Sequence, residues 1–293
     1  MCIEDRYCAF IDILGFKNKL KNFEEGLQYY RSYFGAYHSL EKMHDQLIES
    51  IRTSLSEDKD VGPLVQSYCF SDSIIISSSD WKALFFKICH VMSYMLEFGF
   101  LFRGGIGYGK YFSNITSQDI QIVSEGLVQA YEVESNVAKY PRIVLHESAL
   151  NTILDSVSSI WDLDHMLIQS EDNLWFINPF FLNPDIRGIH NLVKRNLEKY
   201  RGQKFVDKYY WMNELCQYFI SQEYIREDPQ LYFEGKLKDE TTEFANKYFF
   251  FYPHIYQKSV YGDFNYSLDL SIYRSSYTEN YKKLIFQKGK SKI

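Results

Sequence analysis

Asp12 interrupts an otherwise apolar run, Phe10-Ile11-Asp12-Ile13-Leu14-Gly15-Phe16, where a lone carboxylate is costly to bury. A second acid, Asp72, sits in Ser71-Asp72-Ser73 between two β-rich runs, Leu64 to Phe70 and Ile74 to Ser77. That pattern is a β-hairpin with the acid at its tip. If the tip lies beside the Asp12 strand, the two charges repel by about 4 kcal/mol at roughly 4 Å and an effective dielectric near 20. A divalent ion shared by the pair offsets this economically. Glycines at 15, 104, 105, 107 and 109 are expected to let a ligand's phosphates approach the backbone. Taken singly, each acid is ordinary strand-end or turn chemistry. Taken together with the glycines, they point to a metal and phosphate site.

The elements that must position these residues follow from periodicity. Arg6 to Phe16 is a short apolar run stopped by Gly15, hence a buried strand. Tyr29, Tyr33, Tyr37, Leu40, Met43 and Leu47 recur at helical steps, which gives a long amphipathic helix from Phe23 to about Ser56. Gly62-Pro63 breaks it, and the hairpin follows. A second helix runs from Trp81 to Phe98, a glycine-bearing strand from Phe100 to Tyr108, and a third helix from about Ser124 to Tyr140. Arg142 to Leu145 is a short strand, and Asp164 to Ile168 with Asn173 to Ile177 is a closing hairpin. Residues 188–224 and roughly 236–251 read as helical. The order β-α-β-β-α-β-α-β specifies an α+β fold with a mostly antiparallel sheet rather than a doubly wound one.

The chain of 293 residues has 32 Lys and Arg against 38 Asp and Glu, a net charge of −6. That balance argues against non-specific nucleic-acid binding. No apolar stretch approaches the roughly 18 residues that would cross a bilayer, and the N-terminus lacks a signal core. The five cysteines form no C-x-x-C pair. The expectation is a soluble cytoplasmic protein with reduced thiols, without nucleic-acid or membrane partners. Aromatic residues reach 18% of the chain, enough for a large core and for ligand or partner surfaces.

These residues resemble the class III nucleotidyl cyclases. Phe10-Ile11-Asp12-Ile13-Leu14-Gly15-Phe16 matches the family's first strand, F-x-D-I-x-G-F. Phe70-Ser71-Asp72-Ser73 matches the hairpin of its second metal acid, with Ser71 in place of the usual Gly. Arg103-Gly104-Gly105-Ile106-Gly107-Tyr108-Gly109 matches R-x-G-I-x-x-G, and a helix beginning at Gly126 follows. The resemblance spans about residues 5–180. It implies a ferredoxin-like catalytic domain over 1–184 and a mainly helical extension over 185–293. It further implies two Mn²⁺ or Mg²⁺ ions held by Asp12, Asp72 and the main-chain carbonyl of Ile13, and a homodimer. Substrate contacts would come from Tyr68, Phe16 and Arg103. Lys110, Lys139 and Arg142 are weaker candidates for the triphosphate.

The departures narrow the substrate. Purine cyclases carry a Lys four residues before the hairpin acid, where this chain has Tyr68, and an Asn and an Arg on the helix that here reads Ala130-Tyr131-Glu132-Val133-Glu134. FIDILGF, FSDS and FRGGI look like the bacterial pyrimidine cyclases of the Pycsar antiphage systems. That likeness implies UTP or CTP as substrate and a cyclic nucleotide that activates a separate effector. A Tyr hydroxyl or Arg103 can donate to a uracil carbonyl, and no acceptor for cytosine's amino group is evident near Tyr68. UTP is therefore expected first and CTP second. Two other readings stand beside this one. A diguanylate-type cyclase requires a Gly-Gly-Asp/Glu-Glu-Phe hairpin, which FSDS does not match. A catalytically inactive, cyclase-like nucleotide sensor or scaffold is favoured by the missing Asn and Arg and disfavoured by the retained acids.

Overall fold

The structure, a computed structural model, describes residues 3–55, 65–115, 120–157, 166–170, 172, 174–182, 184–227 and 248–250. Strand β1 (Glu4–Ile13) is followed by the single turn α1 (Phe16–Lys19) and the long α2 (Phe23–Leu55). Next come β2 (Val65–Phe70), β3 (Ser73–Ser78), α3 (Trp81–Glu97) and β4 (Phe102–Ile115). The chain continues through β5 (Ile120–Ser124), α4 (Glu125–Asn136), β6 (Ile143–Leu145), α5 (Glu147–Ser156), β7 (Leu167–Ser170) and β8 (Trp175–Ile177). It ends in α6 (Ile186–Lys199), α7 (Val206–Glu227) and β9 (Tyr248–Phe250).

The strands form one sheet in the order β2-β3-β1-β4-β6-β8-β7-β9, with β5 paired to β4. Every pairing is antiparallel except β4 with β6. The expected α+β class and mostly antiparallel sheet are therefore present. The first four strands, in the order β2-β3-β1-β4, are the ferredoxin-like arrangement of a βαββαβ unit. Among the described residues no helix is long and apolar enough to cross a membrane.

Strand alternation assigns each side chain of this unit to a face. Ala9, Ile11 and Ile13 of β1, with Ile74, Ile76 and Phe102, lie on the side packed by α2 and α3, where Tyr33 meets Phe102. Cys8, Phe10 and Asp12 lie on the other side with α4. There Cys8 Sγ meets Ser124 Oγ, and Phe10 meets Tyr131 edge to face at 5.4 Å.

Several boundaries differ from the sequence expectation. The glycine strand runs on to Ile115, and β5 and α5 are additional elements. Residues 200–205 divide the helix expected over 188–224 into α6 and α7. Of the helix expected over 236–251, Tyr248–Phe250 is a strand and residues 236–247 and 251 lie outside the described residues, as does the basic tail from Lys282.

Candidate functional site

Asp12 comes to the edge of the sheet because β1 ends one residue later, while the hairpin fixes Asp72 beside it. Phe70 pairs with Ser73, so the turn is only Ser71-Asp72. The Ile13 amide donates to the Asp72 carbonyl at 3.0 Å, tying the turn to the end of β1. The tight turn puts Ser71 at φ 52, a left-handed conformation that favours glycine.

Register then lays a row of side chains across one face. Asp12 pairs with Ser73 on one side and Arg103 on the other, and Ser73 pairs with Phe70. The next row on that face is Tyr68, Ile75, Phe10 and Gly105, and the one after it is Gln66, Ser77, Cys8 and Gly107. The site thus has a charged end at Asp12 and Asp72 and a floor of three aromatic side chains, Phe10, Tyr68 and Phe70, with Ile75 between them.

Arg103 Nε lies 3.8 Å from Asp12 Oδ2, and its Nη2 lies 2.6 Å from Glu134 Oε1 on α4. Glu134 is buried and fixes the guanidinium beside the acid pair. Burial pushes the Asp12 carboxyl up to about 7, helped by the Asp72 and Glu134 charges and opposed by Arg103. One guanidinium shared with Glu134 leaves the acid pair under-neutralised.

That electrostatic strain tests the fit of a divalent ion. Asp12 and Asp72 supply hard oxygen donors, as Mg²⁺ and Mn²⁺ prefer. Among the described residues no cluster of three or more His, Cys, Asp or Glu completes a cage. This donor set suits an ion whose remaining ligands are water and phosphate oxygens. The residues fit.

The other expected residues divide. Tyr68 lies on the same face as Asp12, one row away. Phe16 is turned into the core against Tyr29 and Tyr30 rather than toward the acids. Lys110 and Lys139 are exposed, whereas Arg142 is buried and bound to Asp172 and Ser170. Arg142 is a structural residue because both its Nη groups are bound to Asp172 and Ser170 inside the fold.

The glycines serve differently than expected. A Cβ on Gly105 would sit 2.1 Å from the Ala130 carbonyl oxygen, and one on Gly107 2.3 Å from that of Gly126. A Cβ on Gly109 would meet Glu125, and one on Gly104 the Phe10 carbonyl. These four let neighbouring backbone and α4 approach the strand, so they open no phosphate cradle. Only Gly15, at φ 92 in open space, keeps a conformational role at the end of the site strand.

Sequence reading missed Glu134, Tyr111 and Gln66. The signal for Glu134 was present, since Gly126, Ala130 and Glu134 recur every four residues on the buried stripe of α4, and an acid in such a stripe needs a partner.

No protein-family model and no curated relative matches the chain. Among solved structures, similarity extends to the adenylyl cyclase CyaB from P. aeruginosa, at 11% identity and TM-score 0.39 over 60% of this chain and 94% of that one. The guanylyl cyclase Cya2 aligns at 13% identity and TM-score 0.38, covering 60% and 92%. The dimeric guanylyl cyclase domain of the RhoGC fusion protein from Blastocladiella emersonii aligns at 13% and 0.37, covering 60% and 98%.

Proposed function

We propose that this chain is a nucleotidyl cyclase, a phosphorus–oxygen lyase that converts a pyrimidine nucleoside triphosphate to its 3′,5′-cyclic monophosphate and pyrophosphate. The observation that carries the reading is the meeting of Asp12 and Asp72 at one end of a sheet face that α4 covers on its β1–β4 side, with Arg103 fixed beside them. Asp12, Asp72 and the Ile13 carbonyl would hold two Mn²⁺ or Mg²⁺ ions. When bound, such ions supply a lowered pKa at the ribose 3′-hydroxyl and neutralisation of phosphate charge. Arg103, oriented by Glu134, presents guanidinium donors to the phosphates at the same end of the site. The 3′-hydroxyl would give its proton to water as its oxygen bonds to the α-phosphorus. The bond from that phosphorus to the oxygen bridging to the β-phosphate breaks and pyrophosphate leaves, with positioning supplying most of the catalysis.

The base would extend along the aromatic floor toward Tyr68. Neighbouring strands stand about 4.8 Å apart and side chains on one face about 6.8 Å apart, so Tyr68 lies about 12 Å from Asp12 between Cα atoms, within reach of one nucleotide. The sequence expectation names UTP and cyclic UMP, with CTP as the alternative. The choice turns on whether the Tyr68 hydroxyl donates or accepts.

The site would be completed in a two-fold homodimer. Phe70, Val128 and Tyr131 support this, because they are large apolar side chains left exposed around the site face. Antiphage signalling through a cyclic nucleotide and a separate effector follows from the family resemblance.

Incubation of the purified protein with each ribonucleoside triphosphate and Mn²⁺, with products identified by mass spectrometry, tests the activity. Cyclic UMP or cyclic CMP is expected. Cyclic AMP or cyclic GMP as the main product overturns the pyrimidine reading, and no product from any triphosphate leaves the nucleotide-sensor reading.

A further inference from the structure

We infer that Glu41, bound to Lys87, is a positioning residue for the nucleoside base: through Ser67 it fixes the edge strand β2, and with it Tyr68 and Phe70, under the substrate. The inference rests on the nucleotidyl cyclase reading and deepens it to how the base end of the site is held.

Strand β2 is the end of the sheet and pairs only with β3. A strand with a ladder on one edge alone takes its remaining restraint from side chains, and alternation divides those of β2 between two faces. Gln66, Tyr68 and Phe70 stand on the site face, and Val65, Ser67 and Cys69 on the face packed by α2 and α3. From beneath, the Ser67 hydroxyl donates to Glu41 Oε2 at 3.0 Å, and Tyr33 Oη lies 3.5 Å from Cys69 Sγ. From above, the Tyr111 hydroxyl donates to Gln66 Oε1 at 3.2 Å. Glu41 carries the strongest of these three ties, because it accepts from Ser67 as a carboxylate while the other two join neutral groups.

The charge is kept on Glu41 by an arrangement that stability does not require. Lys87 Nζ lies 2.8 Å from Glu41 Oε1, so each carboxylate oxygen has a donor of its own. The lysine side chain is 2% exposed. Two charges taken out of water lose about as much in hydration as they regain from each other, and apolar side chains of similar volume often serve a fold as well or better. What an apolar pair cannot do is hold a hydroxyl in one place. Ser67 directly precedes Tyr68, so the ion pair acts on the backbone that aims the Tyr68 ring.

The two ends of the site have separate supports. The acid pair is fixed by the Ile13 amide on the Asp72 carbonyl and by Arg103 held between Asp12 and Glu134. None of these contacts involves Glu41, Lys87 or Ser67. Releasing β2 should therefore loosen the base and spare the phosphates.

The test compares wild type with Ser67→Ala, Ser67→Thr and the double variant Glu41→Leu/Lys87→Met, which removes the pair without leaving either charge buried alone. It measures kcat and KM for UTP and CTP with Mn²⁺, calorimetric binding of each nucleotide and of inorganic tripolyphosphate with Ca²⁺, and urea melts. Ser67→Ala and the double variant should raise KM and Kd for the better-bound pyrimidine triphosphate about tenfold, keep kcat within about twofold, and bind tripolyphosphate as wild type does. Ser67→Thr keeps the hydroxyl and should keep the wild-type KM, and the double variant should melt at or above the wild-type urea midpoint. Wild-type KM in Ser67→Ala, or tripolyphosphate weakened by the same factor as the nucleotides, overturns the inference while the cyclase reading stands. A double variant that no longer melts cooperatively makes the pair a stability element and likewise overturns it. Nucleotide binding weakened by Ser67→Ala with tripolyphosphate unchanged, and no turnover even by wild type, upholds the positioning role and overturns the cyclase. Wild type that binds neither nucleotide nor tripolyphosphate overturns both.

Discussion

With its carboxyl near pH 7, Asp12 is about half protonated in the metal-free protein under neutral conditions. The direction of the resulting pH effect is fixed. An unfolded Asp titrates near 3.9, so folding holds a proton on Asp12 that the unfolded chain has released. The stability from this proton is present at low pH and lost as pH rises from about 4 through about 7. A shift of about three units corresponds to at most about 4 kcal/mol, less the screening allowed by a side chain 22% exposed. His90, His146 and His190, each held below the usual histidine range mainly by burial, act in the opposite sense. The difference between wild type and Asp12→Asn therefore isolates the acid. In chelator, Asp12→Asn should gain on wild type by about 1–3 kcal/mol between pH 5 and 8, measured by urea melts. The same residue should lose function outright: Asp12→Ala or Asp72→Ala should abolish cyclic nucleotide formation while thermal melts stay cooperative. Turnover by either variant at the wild-type rate would refute the shared metal site.

At the scale of elements, α4 and the β2–β3 hairpin decide how well the acids are placed. Helix α4 lies so close to β4 that Gly105→Ala must push the Ala130 carbonyl aside, and a cost of about 3 kcal/mol or more is expected in denaturant melts. Arg103 should lose its alignment with Glu134 in the same variant. The hairpin has slack of the opposite kind, because Ser71 holds a left-handed backbone at about 1 kcal/mol. Ser71→Gly should be neutral or gain up to about 1 kcal/mol, whereas a β-branched Ser71→Val should lose about 1–2 kcal/mol. Val melting above Gly would contradict that account. These elements also show what was legible in the chain. Asp12, Asp72 and their hairpin are written locally, in a short apolar run and a turn, and so are readable in order. The sheet order follows from alternating elements. The purpose of Gly105 and Gly107, the pairing of Arg103 with Glu134 and the reach of Tyr111 to Gln66 depend on which strands and helices become neighbours, and no local pattern states that. Likewise no local pattern announces that Lys87 of α3 is 2% exposed and bound to Glu41 of α2 at 2.8 Å. Burial would raise the Glu41 carboxyl, but Lys87, Tyr37 and Ser67 prevail and hold it below its ordinary range.

Across the whole molecule, the boundary expected at residues 184 and 185 crosses a continuous core. Ile186, Ile189 and Val193 of α6 join Trp211, Met212, Leu215, Cys216, Tyr218 and Phe219 of α7 in the same buried cluster as the sheet. Phe219 meets Phe180 at 4.7 Å, and Trp211 meets Phe176 at 5.7 Å and stacks on Tyr140. Arg142 closes this region from the sheet side. It binds Asp172 and Ser170 and lies over Tyr140, Phe176 and Trp211 at 5.6, 5.8 and 6.0 Å. Each large apolar side chain contributes about 1.5–3 kcal/mol on burial, so Trp211, Met212, Leu215, Tyr218 and Phe219 of α7 alone contribute roughly 8–15 kcal/mol. That is comparable with the roughly 5–15 kcal/mol by which an entire domain is stable. A protein cut after residue 184 also leaves Phe176 and Phe180 uncovered beside an Arg142 that has lost its Trp211 ring. It should therefore be aggregated or molten, with no near-ultraviolet circular dichroism and no cooperative melt, even though all the site residues remain in the chain. A soluble, cooperatively melting 1–184 fragment that still forms cyclic nucleotide would show that the sheet stands alone and that α6 and α7 serve only as an attachment.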